Sequence, residues 1–210
     1  MSHERRLAGN RSGFTIVELL ISTVVFSVIL LAVTIGIMQI TRVYYKGINE
    51  ANTQDVARGI MDTISQAIQF SGGTVYATQG SAPGASTSFC IGNEQFSYKL
   101  GYQLVSSSPG TNQTTKALWQ STTSGCTGNP AAAASGIELL SPKMRLSNLT
   151  VSQVNSGDAN LWKVSVRVVY GDDDLLSNPT ATNASCKGSA GQQFCSVSEL
   201  TTTVVKRVGN

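Results

Sequence analysis

From Leu19 to Met38 the chain runs for 20 residues without a charged side chain. As an α-helix rising 1.5 Å per residue, that run measures about 30 Å, the thickness of the hydrocarbon core of a bilayer. With its flanks it reads as a membrane-spanning helix over residues 14–41, FTIVELLISTVVFSVILLAVTIGIMQIT. Arg5, Arg6 and Arg11 precede it, and positive residues are retained on the cytoplasmic side, so the N-terminus is expected inside and the bulk of the chain outside. A secretory signal has a shorter apolar core followed by small residues at a cleavage site. Neither is present, so the helix is expected to stay attached to the rest of the chain.

The rest of the charge narrows the function classes. The formal net charge is +3, but the residues before Gly13 supply +2 of it. After Gly13 the chain carries 12 Lys and Arg against 11 Asp and Glu, which excludes a generally basic surface for nucleic acid. His3 is the one histidine. A chain cut beyond it has no imidazole, which removes Ser-His-Asp and Cys-His catalysis and any His-ligated metal. An enzyme is therefore not expected, and no cofactor or metal is called for.

Glu18 stands inside the apolar segment, where an ionised carboxylate is costly unless paired. One reading is an acid at the membrane boundary that snorkels into the headgroups. The other comes from its surroundings. The string Gly13-Phe14-Thr15-Ile16-Val17-Glu18-Leu19-Leu20-Ile21, behind a basic leader and directly before the span, resembles the class III signal of type IV prepilins. That resemblance implies a leader at residues 1–13, removed between Gly13 and Phe14 by a membrane aspartyl peptidase on the cytoplasmic side, and N-methylation of Phe14. The helix then stays attached as membrane anchor and filament core. Glu18 becomes the acid of the fifth mature position, a partner for the new ammonium of a neighbouring subunit, and a buried ammonium requires such a carboxylate. Major pilins of the family commonly carry a proline about two dozen residues into the mature chain. This span has none and offers only Gly36, which lowers helix stability by about 1 kcal/mol, so local melting is less strongly encoded.

Beyond Thr41 the pattern becomes periodic. Val56, Ile60, Ile64, Ala67 and Ile68 recur at helical spacing, and Lys46 with Glu50, Asp55 with Arg58, and Arg58 with Asp62 fall three or four apart on the polar side. The helix is thus expected to continue through an amphipathic segment, 42–72, with the Val56–Ile60–Ile64 stripe as its packing face and Ser71-Gly72-Gly73 as its stop. From residue 73 to 210 an exported β-sheet domain is expected. Leu161 to Tyr170 is the clearest strand, with Trp162, Val164, Val166, Val168 and Tyr170 on a buried face and Lys163, Ser165 and Arg167 on a wet one. Further strands are expected at 74–78, 96–105, 116–120, 137–140, 144–154 and 197–207. The stretches 79–88, 106–115, 121–136 and 171–194 read as surface loops. The fold class is α+β, a long N-terminal helix packed on an antiparallel sheet.

Cys90, Cys126, Cys186 and Cys195 all lie in the exported part, so two disulfides are the default in an oxidising compartment. Three pairings are available. Cys90 with Cys126 and Cys186 with Cys195 is favoured, because the second pair brackets a short Gly-rich loop and the first flanks two strands. A four-cysteine zinc site is the competing reading, but no Cys-x-x-Cys occurs. Asp172-Asp173-Asp174 lacks the spacing of a calcium loop and reads as a solvated turn.

Residues 58–73, together with the late Cys186 and Cys195 leading into a last strand, resemble PilW-like minor pilins. This implies a structural subunit that takes part in type IV pilus assembly and initiation. Its partners are other pilins and minor pilins, the prepilin peptidase, the pilus assembly platform and membrane lipid. Its place is the cytoplasmic (inner) membrane as a single-pass protein, then the pilus. A pseudopilin of a type II secretion system shares the same N-terminal segment and is the alternative. A pilus-tip subunit that captures DNA or a host surface is the reading from another class. It calls for clustered basic and aromatic residues, whereas Lys99, Lys116, Lys187, Lys206 and Arg207 are scattered in sequence.

Overall fold

The computed structural model describes residues 13–79, 81–155, 160–188 and 191–207. Arg5, Arg6, Arg11, His3 and most of the expected leader lie outside these residues. By its internal contacts the chain divides into two compact units, one ending at Arg42 and one beginning at Val43.

The first unit is helical from Ile16 onward, the start of α1 (Ile16–Phe70). Its Ser and Thr residues do not break the helix, because each hydroxyl turns back on a carbonyl of the preceding turn. Ser22 donates to Glu18 O at 2.7 Å, Ser27 to Thr23 O at 2.8 Å, Thr34 to Leu30 O at 2.7 Å and Thr41 to Ile37 O at 2.9 Å. Such back-bonding satisfies the polar groups internally, as an apolar surrounding requires. The helix passes through Gly36 unbroken. It is long and apolar enough to cross a membrane, and none of its most apolar window is buried within the chain.

In the second unit α1 buries Asn49, Thr53, Ala57, Ile60, Met61, Ile64 and Ile68. The stripe expected at Val56, Ile60, Ile64, Ala67 and Ile68 is rotated slightly, with Val56 and Ala67 only partly buried at its edge. Ile60, Ile64 and Ile68 are fully enclosed, each contributing about 1.5–3 kcal/mol by leaving water. Of the three ion pairs read from spacing, Lys46–Glu50 forms, at 3.9 Å. The helix ends at Phe70, before Ser71-Gly72-Gly73. A Cβ at Gly73 would stand 2.9 Å from the Cα of Gly92, a backbone approach that only glycine allows.

Two main sheets share one core with this helix. In the first, β1 (Ser86–Ile91), β2 (Glu94–Lys99), β5 (Leu118–Thr122) and β6 (Ile137–Glu138) lie in the order β1-β2-β5-β6, all antiparallel. The second holds β3 (Gln103–Leu104), β4 (Gln113–Thr114), β7 (Met144–Gln153), β8 (Leu161–Tyr170) and β11 (Ser196–Val205) in the order β11-β8-β7-β3-β4. A ribbon of β9 (Leu176–Ser177) and β10 (Ser185–Cys186) completes the strands.

Several expectations are corrected. The single expected strand 96–105 is two, because Gly101, at φ 78°, turns the chain between Lys99 and Gln103. Residues 74–78 make only the isolated bridge Val75–Ile91. The pair β3–β4 is parallel. The loop 79–88 contains the start of β1, and 171–194 contains β9, β10 and two short 3₁₀ turns. In β7 a bulge between Leu146 and Asn148 shifts the alternation, so that Leu146, Leu149 and Val151 all reach the core. The wet face of β8 is partly roofed. Val169, Leu176, Ala184 and Cys195 form a second small apolar cluster beneath the 171–195 segment.

Candidate assembly and processing site

Gly13, Phe14 and Thr15 precede the helix in non-helical backbone, so the Gly13–Phe14 peptide bond is not tied into helical hydrogen bonding. Phe14 is 79% exposed, and a Cβ built on Gly13 meets no atom among the described residues. Nothing in the fold itself demands glycine there. Thr15 caps the helix. Its Oγ1 accepts from the backbone N–H of Glu18 at 3.2 Å, and its carbonyl accepts from Leu19 N at 3.2 Å. Glu18 thereby occupies the third helical position of a Thr-x-x-Glu start, where unpaired N–H groups and the helix dipole favour a negative charge. The Thr-x-x-Glu spacing is the sequence signal of this capping role, and the apolar run around it masks that signal.

Near the start of the amphipathic segment, polar side chains set the register of helix against sheet. Asn49 Nδ2 donates to Gln193 O at 2.7 Å, and Ser196 Oγ donates to Asn49 O at 3.0 Å. Thr53 Oγ1 stands 2.6 Å from the same carbonyl and in contact with Ser196 Oγ, so the two hydroxyls share their two protons among these three contacts. These polar contacts satisfy groups that would otherwise be buried without partners.

Two cysteine pairs stand at disulfide distance, Cys90 with Cys126 and Cys186 with Cys195, with Cα atoms 5.7 and 5.9 Å apart. The first anchors a strap. Segment 121–136, expected as a surface loop, is hydrogen-bonded to side chains of the first sheet. Ser88 donates to Pro130 O, Gln95 Nε2 to Ala131 O at 2.7 Å, and Trp119 Nε1 to Ala133 O at 2.9 Å, while Ser97 Oγ accepts from Ala133 N at 3.0 Å. Glu138 closes the strap's far end. Its carboxylate accepts from the N–H groups of Ala117, Leu118 and Leu140 at 3.0, 2.8 and 3.2 Å. Burial raises the Glu138 pKa, against the opposing pull of those N–H groups. Burial likewise pushes Tyr98 up to about 12, and its hydroxyl donates to Gln79 O at 2.8 Å.

The Asp172-Asp173-Asp174 run is not merely a solvated turn. Arg145, on β7 and wholly buried, reaches Asp173 at 2.6 Å. It also donates to the carbonyls of Gly171 at 3.1 Å and Pro179 at 3.2 Å. Asp172 accepts from Gln103 at 2.8 Å. Asp172 and Asp173 are therefore engaged in holding the 171–181 segment down. An arginine in the middle of a strand gives no signal in sequence that it is enclosed. Among the described residues no group of three or more His, Cys, Asp or Glu could hold a metal ion. Of the scattered basic residues, Lys99 lies over the Tyr102 ring at 4.7 Å and Lys116 over Trp119 at 5.5 Å.

Residues 9–34, which include Gly13, Phe14 and Glu18, match the family described as the prokaryotic N-terminal methylation motif. Comparison with curated proteins and with solved structures gives no match. The chain thus joins an N-terminal methylation motif to an α+β architecture in which the long helix α1 packs on largely antiparallel sheets.

Proposed function

We propose that the protein is a minor pilin that takes part in assembly and initiation of a type IV pilus. The observation that carries this reading is the methylation motif at residues 9–34, falling on a helix whose apolar first part is exposed and whose second part is the spine of a folded domain. The leader is residues 1–13. Prepilin peptidase cuts between Gly13 and Phe14, a bond in non-helical and exposed chain, and Phe14 is then N-methylated. The precursor is a single-pass protein of the cytoplasmic membrane with its C-terminal domain exported. In the filament Glu18 neutralises the ammonium of a neighbouring pilin. The chain's role is structural, and chemistry is done to it rather than by it.

The test is the intact mass of the membrane-derived protein from cells with active prepilin peptidase. A mass beginning at Phe14 and carrying one methyl group is expected, and retention of residues 1–13 refutes the assignment. Gly13→Leu should leave uncut precursor by spoiling the peptidase site, and among the described residues the larger side chain meets no atom, so the fold itself is not disturbed. Recovery in sheared extracellular filaments separates a pilus subunit from a secretion pseudopilin.

A further inference from the structure

β11 is the last strand of the second sheet, and among the described residues no strand pairs with its far side. It holds to β8 over all of Ser196–Val205 without a shift of register. In an antiparallel ladder every second residue turns its N–H and C=O away from the partner, so β11 sends a row of these groups outward. Among the described residues, no backbone group of Glu199–Val205 bonds to anything but β8. Backbone bonds to other parts of the chain resume with Lys206 N to Asn160 O at 2.8 Å and Arg207 N to Gln69 O at 3.1 Å. The other edges are closed or short. β1 is flanked through the Val75–Ile91 bridge and the bond from Tyr76 N to Cys90 O at 2.9 Å. β4 and β6 have two residues each. Proteins guard an exposed edge with proline, lysine or a bulge. Residues 199–205 read Glu-Leu-Thr-Thr-Thr-Val-Val and have none of these.

The row of backbone groups says what can cover it. N–H and C=O alternating at strand spacing are matched in number and direction by another extended chain. Seven residues offer such a chain about 23 Å of edge. On the face turned from the core Thr201, Thr203 and Val205 are exposed, Val205 at 55%, and β-branched residues pack best across such a ladder. The charge at each end narrows the partner further. Glu199 is satisfied within the sheet, where it holds Arg167 at 2.5 Å. Lys206 and Arg207 follow the strand directly, and no carboxylate among the described residues pairs with either. A second copy supplies no acid for them. In a two-fold pairing centred on Thr202 they come opposite Ser198 and Val197, and the nearest acid, Glu199, already serves Arg167.

We propose that Glu199–Val205 is a strand-addition site, at which an extended segment of another prepilin-type subunit joins the second sheet. That segment is β-branched at alternate positions and acidic where it passes Lys206 and Arg207. The proposal rests on the reading of the chain as a filament subunit.

The experiment places the photo-cross-linker p-benzoylphenylalanine in the full chain, in cells that assemble filaments, at position 201 and, as control, at position 150. Thr201 and Thr150 are both exposed and lie in one row of the sheet, Thr201–Ser165–Thr150, with Thr150 on an interior strand. Cross-linking to another subunit at 201 is expected to exceed that at 150 by at least about fivefold, as strand addition at an edge requires. Equal yields overturn the site. Cross-links to a second copy of this chain identify a different occupant and also overturn the proposal. Thr202→Pro and Thr203→Pro test the edge itself, because one of two neighbouring N–H groups points to β8 and the other outward. The variant that keeps the near-ultraviolet circular dichroism of the native domain should lose the 201 cross-link, and its full retention overturns the site. Lys206→Glu combined with Arg207→Glu, beyond the strand, should reduce the cross-link by at least about threefold. No reduction overturns the acidic partner. A chain recovered in sheared filaments without the 201 cross-link overturns the site and leaves the filament reading standing. A chain absent from filaments yet cross-linked to another prepilin-type subunit supports the site and overturns the pilus reading. Absence from filaments with no cross-link overturns both.

Discussion

Removing the acid of the Arg145–Asp173 pair should cost more stability than removing the base. The two partners are unequally placed. The Arg145 side chain is wholly enclosed, whereas that of Asp173 is 40% exposed. Asp173→Ala leaves a buried cation with only carbonyl partners, a loss of about 3–4 kcal/mol, near the lower end of the range for a broken buried pair. Arg145→Met nearly keeps the volume and leaves a carboxylate whose Oδ1 is buried but whose side chain is partly exposed and keeps its bond from Asn112 to Oδ2 at 3.0 Å, so it can turn toward water. The carbonyl of Gly171 keeps its bond from Gln103 at 3.1 Å, so the carbonyls stranded are those of Gly101 and Pro179, and the cost is about 2 kcal/mol. The double variant should cost about as much as Arg145→Met alone, giving a coupling energy of about 3 kcal/mol. Against a domain stability of about 5–15 kcal/mol these differences are large. The assay is urea unfolding of the full chain in detergent, followed by near-ultraviolet circular dichroism of Trp119 and Trp162. Arg145→Met costing more than Asp173→Ala, or a coupling energy below about 0.5 kcal/mol, would refute the reasoning.

The two cysteine pairs should differ in worth. Chain-entropy arguments assign about 4 kcal/mol to Cys90–Cys126 and about 3 kcal/mol to Cys186–Cys195, because their sequence separations are 36 and 9. Single-pair Ser variants in the same unfolding assay test the order, and non-reducing peptide mapping tests the pairing. Glu138 should make the domain more stable in acid. Its folded pKa is raised, so its contribution is fully present below the unfolded pKa of about 4.3 and is lost as pH rises through the folded value. The unfolding midpoint of the native chain should therefore fall relative to Glu138→Gln between pH 4 and 8, and the opposite slope would contradict the burial argument. Glu18→Ala should insert and be cut normally yet be depleted from sheared filaments. Glu18→Gln, which keeps the third helical position but not the charge, should behave the same way, and its normal recovery would show that charge neutralisation is not the role of Glu18.

The elements legible from sequence are those in which local pattern and burial coincide. The uncharged run, the helix stop at Ser71-Gly72-Gly73 and the alternation of β8 each arise from a repeat of side-chain type along a few turns or pleats. The Gly13–Glu18 string is legible for another reason. It is short, contiguous and recognised as sequence, so no folding is needed to bring its residues together. What only the tertiary structure decided are the juxtapositions of distant residues. Nothing in the sequence marks Arg145 as buried, yet it lies enclosed with Asp173 and the Gly171 and Pro179 carbonyls as partners. The 121–136 segment reads as a loop because its backbone bonds go to the side chains of Ser88, Gln95 and Ser97, which leave no periodic trace. Phe194 joins Tyr45 only because Asn49 and the Cys186–Cys195 pair hold its turn against α1. Periodicity records which face of an element is apolar, and that is settled locally. Which residues meet across loops of tens of residues is settled by packing, and the sequence carries no local sign of it.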